Sequence, residues 1–173
     1  MKKEHPWEIE PQVYPLIYGL VRAIKPSQVV ETGTFTGKST ISIAKALRDN
    51  KRGFLWSIDI KDFEAGKRLE EEKLTKFVKL IIGQSPQALE KVMSKNEIDF
   101  VFLDNGHLYP TVSAELEIAH KYLIPEGYVM GHDYRPEHKG VFPAVNDFLA
   151  RHKGEYEKVT ITSENGFFII RKL

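Results

Sequence analysis

No cysteine occurs in this chain of 173 residues. Its absence excludes a disulfide frame, a thiolate nucleophile and any Cys-type zinc site. Neither sign of charge prevails, since 25 Lys and Arg stand against 24 Asp and Glu for a formal net charge of +1. That balance gives no argument for nucleic acid, a membrane surface or an acidic partner. No apolar run approaches the ~20 residues of a membrane span. Lys2 and Lys3 are followed by Glu4, His5, Pro6 and Glu8, where a signal peptide needs an apolar core. Repeats and low-complexity runs are missing too. What is left is a cytoplasmic chain of a length that suits one domain over 1–173 with a single core.

Apolar segments of two periods alternate along the chain. Val13, Leu16, Ile17, Leu20, Val21 and Ile24 mark a helical face, which Pro26 ends. Strands are predicted over 28–31, 54–60, 77–82, 98–103 and 128–131. Helices are predicted over 38–48, 63–74, 86–93, 111–123 and 141–151, with a turn at 125–127. Strands at 156–162 and 166–170 flank Ser163-Glu164-Asn165, a hairpin signal. Alternation of this kind predicts an α/β fold with a mainly parallel sheet. Seven strands result, the last two an antiparallel hairpin.

The first strand runs into Glu31-Thr32-Gly33-Thr34-Phe35-Thr36-Gly37-Lys38-Ser39-Thr40. Ligands are held at such strand-to-helix turns, where backbone N–H groups are free. A phosphate-binding P-loop needs four residues between its first glycine and Gly-Lys-Ser, and only three separate Gly33 from Gly37. The dinucleotide pattern G-x-G-x-x-G also fails, because Phe35 stands at its second glycine. A carboxylate at Glu31 repels phosphate and suits an ammonium or a hydroxyl. Polar residues close the other strands as well: Asp59, Gln84 with Ser85, Asp104, and His132 with Asp133. Parallel strands bring these ends to one edge, so the residues converge on one crevice. Asp59 can accept hydrogen bonds from vicinal ribose hydroxyls, or serve as a turn aspartate. Ser85 is equally a helix N-cap before Pro86.

The loop is similar to the E-x-G-x-x-x-G-x-S-T form of class I S-adenosylmethionine-dependent methyltransferases, in their small O-methyltransferase branch. Phe102-Leu103-Asp104-Asn105-Gly106-His107-Leu108-Tyr109, Leu123-Ile124-Pro125-Glu126-Gly127-Tyr128 and Gly131-His132-Asp133-Tyr134 resemble a D-G-x-H-x-Y, L-x-P-G-G, H-D-Y branch of it. Asn105 and Glu126 stand where that branch has glycine. The resemblance runs from Pro11 to the C-terminus and implies a Rossmann-like, seven-stranded, mostly parallel sheet with a C-terminal antiparallel hairpin. It also implies transfer of a methyl group to a small acceptor, most plausibly at oxygen. S-adenosylmethionine would lie on Glu31, Gly33, Thr34, Gly37, Ser39, Asp59, Gln84, Ser85 and Asp104. A divalent cation, magnesium or a transition metal, would sit on Asp104, His132 and Asp133. The imidazole in that set shifts preference away from magnesium, and a metal-free polar cluster is the alternative. His107 would take the acceptor's proton beside Asp104, its reference pKa of about 6.5 suiting a general base. A loop histidine that positions Asp104 is the other reading. Tyr109, Tyr134 and His138 are candidates for the acceptor side. His5, His120 and His152 read as surface or helix residues, Trp7 and Trp56 as packing. The segment 1–25 is expected to form a lid or a homo-oligomer interface. Two other functions compete: a non-catalytic domain that binds S-adenosylmethionine or a nucleoside, and a hydroxylase-like relative using the Asp/His cluster.

Overall fold

The computed structural model describes residues 8–173. His5 and Trp7 therefore lie outside the described residues, as does the beginning of segment 1–25.

Among the described residues six α-helices and seven strands follow one another. They are α1 (Val13–Ile24), β1 (Gln28–Thr32), α2 (Lys38–Asn50), β2 (Phe54–Asp59), α3 (Ala65–Glu71), β3 (Val78–Ile82) and α4 (Gln87–Met93). Then come β4 (Ile98–Leu103), α5 (Tyr109–Tyr122), β5 (Leu123–His132), α6 (Val141–Arg151), β6 (Tyr156–Ile161) and β7 (Phe167–Lys172). The strands form one sheet in the order β3-β2-β1-β4-β5-β7-β6. The first five are parallel, while β7 runs antiparallel to both β5 and β6.

Alternation along β4 shows how the layers are built. Phe100 and Phe102 pack toward α1 and α2 with Ile17, Val21, Ile43 and Leu47. Val101 and Leu103 pack on the other face with Leu116, Val145 and Phe148 of α5 and α6. A strand buried on both faces must be apolar throughout. In α1 the buried residues Val13, Ile17 and Val21 repeat at helical spacing and face the sheet.

Most boundaries shift by one or two residues from the sequence reading, and at three places the backbone shows the reason. The turn at 125–127 is an irregularity inside β5: pairing with β4 jumps from Ile98–Leu123 to Phe100–Tyr128, and Glu126 sits at φ +64°. The helix expected over 63–74 shrinks to Ala65–Glu71, because Glu64 and Lys73 take left-handed conformations at its ends. Phe77 closes a 3-10 turn (Thr75–Phe77), and β3 starts one residue later. Among the described residues no helix is long and apolar enough to cross a membrane.

Candidate active site

The ends of β1, β2 and β4 do converge. A crevice of about 290 Å³ opens at the carboxyl edge of the sheet, over β1, β2 and β4. Gly33, Thr34, Ser39, Asp59, Asp104 and His107 line it, together with Glu8, Ile9, Tyr14 and Phe63, which the sequence reading did not single out.

Gly33 makes the loop possible. Its φ is +91°, and a Cβ there would lie 2.1 Å from the carbonyl oxygen of Asp104. The loop after β1 and the loop after β4 thus touch backbone to backbone, which only glycine allows. Gly37, at φ +82°, opens α2 as its N-cap. Asp59 supports the loop from the next strand: its carboxylate accepts the N–H of Phe35 and of Ile60, each at 2.7 Å.

Glu31 is not in the crevice. It is fully buried under the loop and accepts the hydroxyls of Thr40 and Ser57, both at 2.6 Å. Burial pushes its pKa up to about 7, and its second oxygen has no partner. A strand's alternation sends one of two adjacent side chains inward, and Glu31 takes the inward place. Thr34 is hydrogen-bonded to Ser57 at 2.6 Å, one step along the same network. Gln84 and Ser85 also lie away from the crevice. Gln84 is exposed on a separate groove with Trp56 and Ile81. Ser85 is buried and donates to Glu115, so its hydroxyl does not cap α4. Glu115 also accepts from Asn105 at 3.3 Å. The departure from glycine at 105 therefore links the loop after β4 to the loop after β3 through one buried carboxylate.

Beside the crevice stands a cluster of acids and imidazoles. Ligand atoms of Asp104, His107 and Asp133 lie within 4.8 Å of one another. Nε2 of His107 is 2.8 Å from Asp133 and 3.7 Å from Asp104. Nδ1 of His132 is 3.4 Å from Asp133 and 3.7 Å from Asp104, and its Nε2 meets Glu10. His138 approaches Asp133 at 3.5 Å. The sequence reading joined Asp104 and Asp133 with His132; the structure brings His107 into the same group.

Their charges follow from this packing. The carboxylates of Asp104 and Asp133, toward which its ring N–H donates, push His107 up to about 10, against the opposing effect of burial. The reference value of about 6.5 therefore does not hold in the folded protein, and His107 is charged at neutral pH. Burial works against a charge on His132, yet its contacts with Asp133 and Asp104 push it up to about 9. Burial raises Asp104. Asp133 is also buried, but hydrogen bonds from His107 and His132 hold it well below the usual carboxylate range.

The acceptor candidates separate. Tyr109 and His138 line a neighbouring hollow of about 350 Å³ that shares His107 with the crevice. Tyr134 is buried and packs on Phe142 and Phe168, so it belongs to the core. His120 and His152 stack with centroids 3.9 Å apart, away from the crevice, and form a second group with Glu155. Trp56 donates to Gln28 at 3.0 Å and packs half-buried, as expected.

Solved structures share this architecture. The O-methyltransferase of Bacillus cereus, in complex with SAH, is 18% identical with a TM-score of 0.84, over 98% of this chain and 84% of that one. TomG of Streptomyces achromogenes, an O-methyltransferase involved in tomaymycin synthesis and in complex with SAM, is 21% identical with a TM-score of 0.81, over 96% and 82%. SAH-bound PaMTH1 of Podospora anserina is 16% identical with a TM-score of 0.81, over 98% and 83%. At these identities the likeness establishes the fold. No curated protein matches in sequence. A family model described as a methyltransferase domain matches residues 30–134. That segment holds β1 through β5, the glycine loop and the acid–imidazole cluster, and by it the chain belongs to the methyltransferase-domain family.

Proposed function

We propose that this protein transfers the methyl group of S-adenosylmethionine to an oxygen of a small acceptor. The observation that carries the reading is the contact of Gly33 with the Asp104 backbone. It sets a glycine loop, a strand-tip carboxylate and an acid–imidazole cluster around one crevice. The crevice residues suit the cofactor. Asp59 already accepts two backbone N–H groups, and each carboxylate oxygen keeps a lone pair for a ribose hydroxyl. The N-terminal turn of α2, with Ser39, suits the methionine carboxylate. Glu31 supports the loop from below.

Methyl transfer is an in-line displacement at the sulfonium methyl. The protein must hold the acceptor oxygen in line and deal with its proton. The hollow of Tyr109 and His138 opens beside His107 and is our acceptor side. His107 is the cluster's half-exposed member, so the acceptor meets it first.

The cluster also suits a divalent cation. Asp104, His132 and Asp133 would hold it, with His107 at the mouth. Two carboxylates and an imidazole favour manganese or another transition ion over magnesium. A bound cation would lower the pKa of an acceptor hydroxyl. The reading is of a cytoplasmic enzyme, and the net charge of +1 supports no nucleic-acid partner.

Two tests follow. Asp59→Ala should weaken S-adenosylhomocysteine binding in calorimetry by roughly tenfold or more, since hydrogen bonds to a charged group contribute about 1.5–3 kcal/mol each. Circular dichroism should show the fold retained. Wild-type protein that binds neither S-adenosylmethionine nor S-adenosylhomocysteine at millimolar concentration, but binds NAD or ATP, would end the reading. Exhaustive chelation should lower turnover, and manganese should restore it better than magnesium. Turnover and cofactor binding unchanged by chelation would make the cluster a metal-free one.

A further inference from the structure

Residues 8–10 cross from one lip of the crevice to the other. On the glycine-loop side Glu8 accepts from Thr36 at 3.1 Å and from Lys38 at 2.9 Å. Two residues on, Glu10 binds the opposite side. One of its oxygens accepts the backbone N–H of Asn165 at 2.6 Å and the hydroxyl of Ser163 at 3.5 Å, both in the turn between β6 and β7. Its other oxygen meets Nε2 of His132. Glu10 is 0% exposed and His132 5%.

The Asn165 N–H and the Ser163 hydroxyl both donate to this carboxylate, which therefore acts as an acceptor. With Glu10 as acceptor, Nε2 of His132 carries the hydrogen of their contact. The other ring nitrogen is then fixed too: Nδ1 faces Asp133 at 3.4 Å and Asp104 at 3.7 Å. Without a partner at Nε2, an imidazole is free to turn about its soft terminal torsion.

We propose that Glu10 is a positioning residue of the site. Its carboxylate holds the His132 ring with Nδ1 turned to Asp104 and Asp133, and anchors that ring to the hairpin turn. Glu10 itself touches none of the reacting groups. The inference rests on the reading of Asp104, His132 and Asp133 as cation ligands. A partner of this kind orients a ligating imidazole before the ion arrives, and losing one typically costs 10–100-fold in metal affinity. Glu10 escaped the sequence reading because it lies 122 residues from His132.

The test compares wild type with Glu10→Gln, Glu10→Ala and Ser163→Ala. Ser163→Ala removes a contact to the same carboxylate but none to the ring. In histidine-labelled wild-type protein the Nε2–H of His132 should give a slowly exchanging, downfield proton resonance. It should shift and broaden in Glu10→Gln and disappear in Glu10→Ala. Manganese affinity, read by electron paramagnetic resonance, should fall about 10–100-fold in Glu10→Gln. In Ser163→Ala it should change by less than about threefold, and S-adenosylhomocysteine affinity should hold in all variants. If Glu10→Ala fails to fold, the isosteric Gln variant carries the test. A folded Glu10→Gln that keeps the resonance and wild-type manganese affinity overturns the proposal, as does a wild type without the protected resonance. Wild-type protein that takes up no manganese overturns the cation reading instead, and the histidine resonance then decides the Glu10–His132 contact by itself.

Discussion

Replacing His107 by alanine is expected to reduce turnover by roughly 10²–10⁴-fold and to leave cofactor affinity within about threefold. The imidazole bridges Asp104 and Asp133 at the mouth of the crevice, beside the proposed acceptor side. Among the described residues only His107 lines both the crevice and the neighbouring hollow. It is not among the residues proposed to hold the cofactor, so binding should survive its loss. The pH dependence identifies its role. A base works only when unprotonated, and Asp104 and Asp133 push His107 up to about 10. In protein stripped of divalent ions, turnover should therefore climb as pH rises toward about 10, and this limb should vanish in His107→Ala. Rates on an identified acceptor from pH 6 to 10.5 would check this. A variant that keeps full turnover, with an unchanged pH profile, would assign His107 to loop structure and pass the proton to Asp104 or Asp133.

Gly33→Ala should damage both fold and binding. The added methyl would lie 2.1 Å from the Asp104 carbonyl oxygen and 2.6 Å from its carbon, both backbone atoms of a neighbouring strand end. Neither can swing aside as a side chain would. The position is also pinned from behind, because the N–H of Gly33 donates to Ile58 at 2.9 Å and the N–H of Asp104 to Thr32 at 3.0 Å. Strain at a left-handed position costs about 1–3 kcal/mol, before the clash is counted. At about 2–4 °C per kcal/mol for a chain of this size, Tm should drop by roughly 5–15 °C. S-adenosylhomocysteine affinity should fall by more than about tenfold, since the loop and the Asp104 strand end must part. Thermal unfolding and calorimetry on the same preparation would measure both. Wild-type Tm and wild-type affinity together would show that the two loops are not held in contact.

The architecture was legible because it is written in local periods. Apolar alternation and helical spacing put the seven strands and six helices of the described residues in place, with the largest errors where backbone conformation decided. Glu126, Glu64 and Lys73 adopt positive φ, which residue type does not announce outside glycine and asparagine. The glycine loop was legible for a similar reason: two glycines with three residues between them, set between a strand and a helix, serve geometry before chemistry. Parallel pairing then guaranteed that Asp59, Asp104 and Asp133 would share an edge.

By itself the sequence determined the fold class and that a crevice would open at the carboxyl edge of the sheet. Tertiary structure alone decided which way each side chain pointed and what it met. It sent Glu31 under the loop and Ser85 to Glu115, because those sites lie between layers whose contacts join distant segments. It drew His107 into the acid pair and raised its pKa, since charge regulation depends on distances of a few ångströms that spacing along the chain does not encode. It also brought Glu10 to His132 across 122 residues. A hydrogen bond needs only that two atoms meet, and only the folded chain says which do.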